Sequence, residues 1–131
     1  NTIRGGDNFR TGNWQGYYGP DLDVIIDFGE ASEISVVGAG FLQDENSWVF
    51  MPRHVKFEGS IDGKNYFVLG TVENDISIKQ TGGIIKDFEI GNINKTIRYL
   101  KVNAKSLGMC PIWHKGAGNP CWIFVDEIWA K

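Results

Sequence analysis

Short runs of β-branched and aromatic residues recur between turn-forming residues along this chain, and apolar residues almost never take the spacing of an amphipathic helix. That pattern excludes a helical fold and predicts an all-β chain. The candidate strands are Leu22–Phe28, Ile34–Phe41, His54–Gly59, Tyr66–Val72, Ile84–Ile90, Ile97–Ala104 and Cys121–Trp129. Two of them alternate cleanly: Val55 and Phe57 oppose Lys56 and Glu58, and Leu100, Val102 and Ala104 oppose Lys101 and Asn103. Such strands bury one face and wet the other. Ser60-Ile61-Asp62-Gly63-Lys64 carries an Asp-Gly hairpin signal, and Gly82-Gly83 and Gly91-Asn92 mark further turns. The first twenty residues, rich in Gly, Asn and aromatics, read as an ordered loop that wraps the strands rather than as a full strand. The expected architecture is an antiparallel β-sandwich of about eight strands.

At 131 residues and 42% hydrophobic content, the chain suits one domain with its own core, residues 1–131. Its net charge of −3 is scattered, leaving no basic stripe for a nucleic-acid backbone and no polybasic anchor for anionic lipid. No apolar run approaches the roughly 20 residues that a membrane-spanning helix needs. The start at Asn1 reads as a piece excised from a longer protein.

The segment from Cys110 to Cys121 reads Cys-Pro-Ile-Trp-His-Lys-Gly-Ala-Gly-Asn-Pro-Cys. Its prolines and glycines exclude regular structure, and an irregular backbone carrying Trp113 beside His114 suits a ligand-facing loop. A Trp folded onto the core and a turn-capping His are the structural alternative. The cysteine spacing fits neither a zinc site nor a Cys-x-x-Cys redox site. A Cys110–Cys121 disulfide, which would stabilise the loop by about 3 kcal/mol and suit an extracytoplasmic protein, stands beside two buried thiols as the alternative. Asn94-Lys95-Thr96 is a formal glycosylation sequon of no weight on its own.

Several stretches in order resemble the discoidin, or coagulation factor V/VIII type C, superfamily, which includes the family 32 carbohydrate-binding modules. They are Asp7-Asn8-Phe9-Arg10-Thr11-Gly12-Asn13-Trp14, Asp23-Val24-Ile25-Ile26-Asp27-Phe28-Gly29 ahead of Ile34-Ser35-Val36-Val37, Ser60 to Tyr66, Arg98-Tyr99-Leu100-Lys101-Val102, and Asp126-Glu127-Ile128. Trp14 to Tyr17, Gly40 to Asp44 with Ser47-Trp48, and Cys110-Pro111 with Trp113-His114 are similar to the C-terminal domains of bacterial family 20 β-hexosaminidases, or chitobiases. The resemblance implies a jelly-roll sandwich, a structural calcium and a sugar site on loops at one end. It implies no catalysis, because the hydrolase of those proteins is a separate domain.

A pyranose needs an aromatic platform and planar side chains that pair two hydroxyls at once. If the Gln43–Trp48 loop meets the Cys110–Cys121 loop, Trp48 or Trp113 stacks while Gln43, Asp44, Asn46 and His114 bond hydroxyls. Galactose-binding members carry a His shortly before the Trp of the first loop; none precedes Trp48 here, and Arg53 is the residue available for their arginine role. For Ca2+, the resemblance points to Asp7, Thr11 and Glu127 with carbonyls near Arg4, Phe9 and Asp126, a set of hard oxygen donors. Thr11 stands four residues after Asp7 rather than the family's five. Asp126 and Glu127, adjacent on a strand, face opposite sides and cannot flank one glycosidic bond. The functional expectation is a non-catalytic module holding a hexose- or N-acetylhexosamine-containing glycan near a β-N-acetylhexosaminidase-type catalytic domain of the same extracytoplasmic protein. A structural or protein-adhesion discoidin domain is the alternative.

Overall fold

In the computed structural model the sequence alternation becomes layering. Val55, Phe57, Leu100, Val102 and Ala104 are fully buried, whereas Lys56, Glu58, Lys101 and Asn103 between them keep partial contact with solvent. The structure describes residues 9–18, 21–44, 49–76, 83–107, 114, 117–118 and 121–131, with 9–18, 124 and 126 described by backbone alone. Eight strands run in chain order: β1 Phe9–Tyr18, β2 Leu22–Ile34, β3 Val37–Gln43, β4 His54–Ser60, β5 Phe67–Glu73, β6 Ile84–Ile90, β7 Lys95–Ala104 and β8 Trp122–Ala130. They form two four-stranded sheets, β1-β8-β3-β6 and β2-β7-β4-β5, with antiparallel neighbours throughout. Every sequential connection therefore joins one sheet to the other except the β4–β5 hairpin, an order that gives a jelly-roll sandwich. Between the sheets lies one core that includes Phe28, Phe41, Phe57, Phe88, Leu100 and Ile123.

Two expectations fail in instructive ways. The first twenty residues are not only a wrapping loop, because Phe9–Tyr18 pairs with β8 from Phe9 opposite Ala130 to Tyr18 opposite Trp122. Its glycines lower local strand propensity, but the open edge of an apolar strand overrides that preference. A register shift between Gly12 and Gln15 accommodates the irregular sequence as a bulge. Ile34–Phe41 is not one strand either. Ile34 ends β2 in one sheet and Val37 starts β3 in the other, while Ser35 and Val36 both donate to the Lys131 carbonyl, at 2.7 and 2.9 Å. No Gly or Pro marks that crossing, since two ordinary residues suffice to change sheets.

The motifs that carried the family resemblance are largely fixtures of this frame. Arg98 makes a two-pronged pair with Asp27, at 2.8 and 3.0 Å, and Asp27 also accepts the Gly29 amide. Arg98 first and that amide second hold the Asp27 carboxyl below the usual carboxylate range. In the β4–β5 turn, Asp62 accepts the Lys64 and Asn65 amides at 2.8 and 2.9 Å, together with Asn65 Nδ2 and the Ser60 hydroxyl. These bonds, the Asn65 amide foremost, push its carboxyl far down. Gly63 supplies the left-handed φ of 78° that the turn requires.

Candidate functional site

Antiparallel order sends the β1–β2, β3–β4, β5–β6 and β7–β8 connections to one end of the sandwich and the β2–β3, β4–β5 and β6–β7 turns to the other. The first end carries both loops singled out in the sequence. Asp44 and Val49 exchange backbone hydrogen bonds of 2.9 and 3.0 Å, closing the β3–β4 loop on itself. Val49 then bridges in parallel to Trp122 at the start of β8, and the Phe50 amide donates to the Trp122 carbonyl at 3.1 Å. Phe50 is buried with Cys121, with Leu107 packed against them. The His114 ring meets Phe50 edge-on, with centroids 5.3 Å apart. The two loops are thus joined at their bases by one small apolar junction, separate from the main core.

That junction reassigns several residues. Gln43 does not offer its amide to a hydroxyl from the surface. It is 0% exposed, and its Oε1 accepts the Met51 amide at 3.3 Å across the base of the loop. His114 is 5% exposed and packs on Phe50, so its ring belongs to the junction rather than to an open wall. Both changes have the same cause: polar side chains where a loop leaves the core are recruited to satisfy or cover its backbone. Asp44 keeps partial exposure beside its bridge to Val49. Arg53 is exposed and donates through Nη2 to the Leu107 carbonyl at 3.3 Å, spanning the two loops. Asn46, Trp48 and Trp113 lie outside the described residues, as do Cys110, Asp7 and Arg4. Cys121, the other half of the expected disulfide, is fully buried in the junction.

For the expected calcium, β1 and β8 bring two of the assigned segments side by side. Thr11 lies opposite Ile128 and Gly12 opposite Glu127, with Phe9 opposite Ala130. Asp126 falls where that ladder shifts register. The donor types are the hard oxygens that calcium prefers. Among the described residues, no group of three or more His, Cys, Asp or Glu side chains stands close enough to hold a metal ion.

Sequence reading missed Trp122, 37% exposed beside the Val49 bridge. Period two in Trp122-Ile123-Phe124-Val125 contained the signal: Ile123 and Val125 are buried, which turns position 122 outward. It also missed Asp21, whose Oδ1 accepts the Ser106 amide at 2.8 Å and whose Oδ2 lies 3.4 Å from Lys105 Nζ. Its Ser106 partner stands 85 residues away, a pairing no local pattern reveals.

No protein-family model and no curated protein matches the sequence. Solved structures do. The CBM32-1 module of a family 31 glycoside hydrolase from Clostridium perfringens is 20% identical, with a TM-score of 0.53 over 96% of this chain and 95% of its own. The CBM32-3 module of a family 31 glycoside hydrolase from the same organism is 15% identical, with a TM-score of 0.53 over 94% and 74%. The C-terminal domain of a chitobiase from Bacteroides fragilis is 20% identical at a TM-score of 0.48; the match takes in 85% of this chain, which spans just 64% of that domain. At such identities likeness speaks of architecture, and it agrees with the strand order: this chain has the jelly-roll β-sandwich fold of the family 32 carbohydrate-binding modules.

Proposed function

We propose that this chain is a non-catalytic glycan-binding module whose site lies at the loop end of the sandwich. The observation that carries the reading is the Phe50–His114–Cys121 junction, which brings the bases of two long, aromatic-bearing loops together beside an outward Trp122. The fold shared with carbohydrate-binding modules supports it. Trp48 and Trp113 are assigned as stacking platforms, with Asp44, Asn46 and Arg53 pairing hydroxyls of a hexose or N-acetylhexosamine. One shallow site of this kind binds at about 0.1 to 1 mM. Attachment to a catalytic domain of the same protein, a β-N-acetylhexosaminidase-type glycoside hydrolase outside the cytoplasm, makes that sufficient by raising local substrate concentration.

The test is a glycan array on the isolated chain, followed by Trp48→Ala and Trp113→Ala. Loss of retention in either variant supports the assignment. Retention equal to the parent in both places the site elsewhere, and no binding on the array leaves the structural or adhesion role in its place. Calcium belongs to the same proposal: Asp7, Thr11 and Glu127, with carbonyls near Arg4, Phe9 and Asp126, would hold it and cross-link the N-terminal segment to β8. A ligand that binds only the folded state raises the melting temperature. Identical melting curves in calcium and in chelator sink that part alone.

A further inference from the structure

Two of the other three connections at the loop end bond directly to one short segment, Lys105–Leu107, where β7 gives way to the β7–β8 loop. From the β3–β4 connection, the Arg53 amide donates to the Lys105 carbonyl at 2.7 Å, and Arg53 Nη2 donates to the Leu107 carbonyl at 3.3 Å. The Lys105 amide returns a bond of 3.0 Å to the His54 carbonyl. From the β1–β2 connection comes Asp21, bonded to the Ser106 amide and paired with Lys105 Nζ. The β5–β6 connection joins indirectly, through the Asn74 amide on the Arg53 carbonyl at 3.0 Å. Ser106 is itself buried, so its amide depends on the Asp21 carboxylate in place of water.

We infer that Asp21 is a positioning residue for the glycan site: it fixes the direction in which the loop carrying Trp113 leaves the sandwich. The inference rests on the proposed site. It extends that site to a residue that touches no sugar. Arg53 secures the same segment from the β3–β4 side, so the bases of the two loops are fixed to each other before any ligand binds. Lys105 lies on the exposed side of the Asp21 pair and adds little, whereas the Ser106 amide is the partner that matters.

The experiment compares Asp21→Ala and Asp21→Asn with the parent chain, using electrophoretic retardation in native gels containing a mucin whose chains carry galactose and N-acetylhexosamine. Asn keeps an oxygen for the Ser106 amide, while Ala removes it. The expected result is about fivefold weaker retardation for Asp21→Ala, equivalent to one net hydrogen bond, and recovery to within about twofold for Asp21→Asn. Amide exchange separates positioning from general destabilisation: in Asp21→Ala, Ser106 and Leu107 exchange faster while amides of the β4–β5 turn do not. Equal retardation of parent and Asp21→Ala overturns the inference while leaving the proposed function standing, and so does unchanged exchange at Ser106. If the parent binds neither this mucin nor any arrayed glycan, the proposed function falls and takes this inference with it.

Discussion

At the short-turn end, the turns themselves are tied by main-chain bonds, Ser35 and Val36 to Lys131 and Ile93 to Ser35, and the side-chain ties between distant segments nearby, Arg98 to Asp27 and Trp129 to Glu89, run between strands. At the loop end, main-chain bonds are joined by side-chain ties that reach across the chain, Asp21 to Ser106 and Arg53 to Leu107, and by the Phe50–His114 contact. Main-chain closure tolerates almost any sequence, because every residue brings the same amide and carbonyl. Side-chain closure specifies residues. The end whose long loops are tied to one another by side chains is therefore the one where sequence can set how the loops sit, as the proposed binding site requires.

The largest break in this contrast is expected from Phe50→Ala. Truncating a buried Phe costs about 3 to 4 kcal/mol, and here it also parts the two loops, so urea unfolding should show the loss and glycan retention should vanish. A cost no greater than that of Ile85→Ala on the exposed face would mean that the junction is not a packed unit. Gly38→Val comes next, at about 2 to 3 kcal/mol. A Cβ there stands 2.5 Å from the Trp129 ring, which must move and give up its 2.9 Å bond to Glu89. Because this site is near the short-turn end, the glycan affinity of the folded fraction should stay unchanged. Gln43→Leu should cost about 1 to 2 kcal/mol by orphaning the Met51 amide, with the loss read at the loop end by amide exchange.

Acid acts on the other side of the contrast. Asp62 and Asp27 have folded-state pKa values below the unfolded value, so their contribution is present above about pH 4 and is lost as pH falls toward the lowered folded values. Melting temperature should drop below pH 4, and Asp62→Asn should flatten that acid limb. An unchanged limb in Asp62→Asn would remove the turn from the account. The smallest effect belongs to Lys105→Ala: its exposed pair with Asp21 is worth about 0.5 kcal/mol or less, and salt should erase even that.

These contrasts also explain what the sequence could reveal. Alternation in β4 and β7 made the buried faces legible, because a half-buried strand writes its geometry at period two. The Asp62-Gly63 turn was legible because its bonds are local, two or three residues apart. β1 was not, since its pairing is supplied by β8 more than a hundred residues later. At the candidate site, the meeting of two loops could be posed only as a condition, because Phe50 and His114 touch across more than sixty residues and no local pattern joins them. Gln43 and His114 looked like binding groups because their residue types suit hydroxyls, and only burial reveals that they serve the backbone and the junction. Residue type states what a side chain can do; packing decides what it is used for.

The reciprocal Asp44–Val49 bridge has a practical reach of its own. It seals the β3–β4 loop at its neck, so the four residues between, Glu45 to Trp48, form an exchangeable cassette whose ends are already clamped. Under the proposed function, a library varied only at those four positions tests recognition while leaving Gln43, Phe50 and the strands behind them untouched. The bridge thus marks the boundary between the scaffold and the part of the molecule free to diversify.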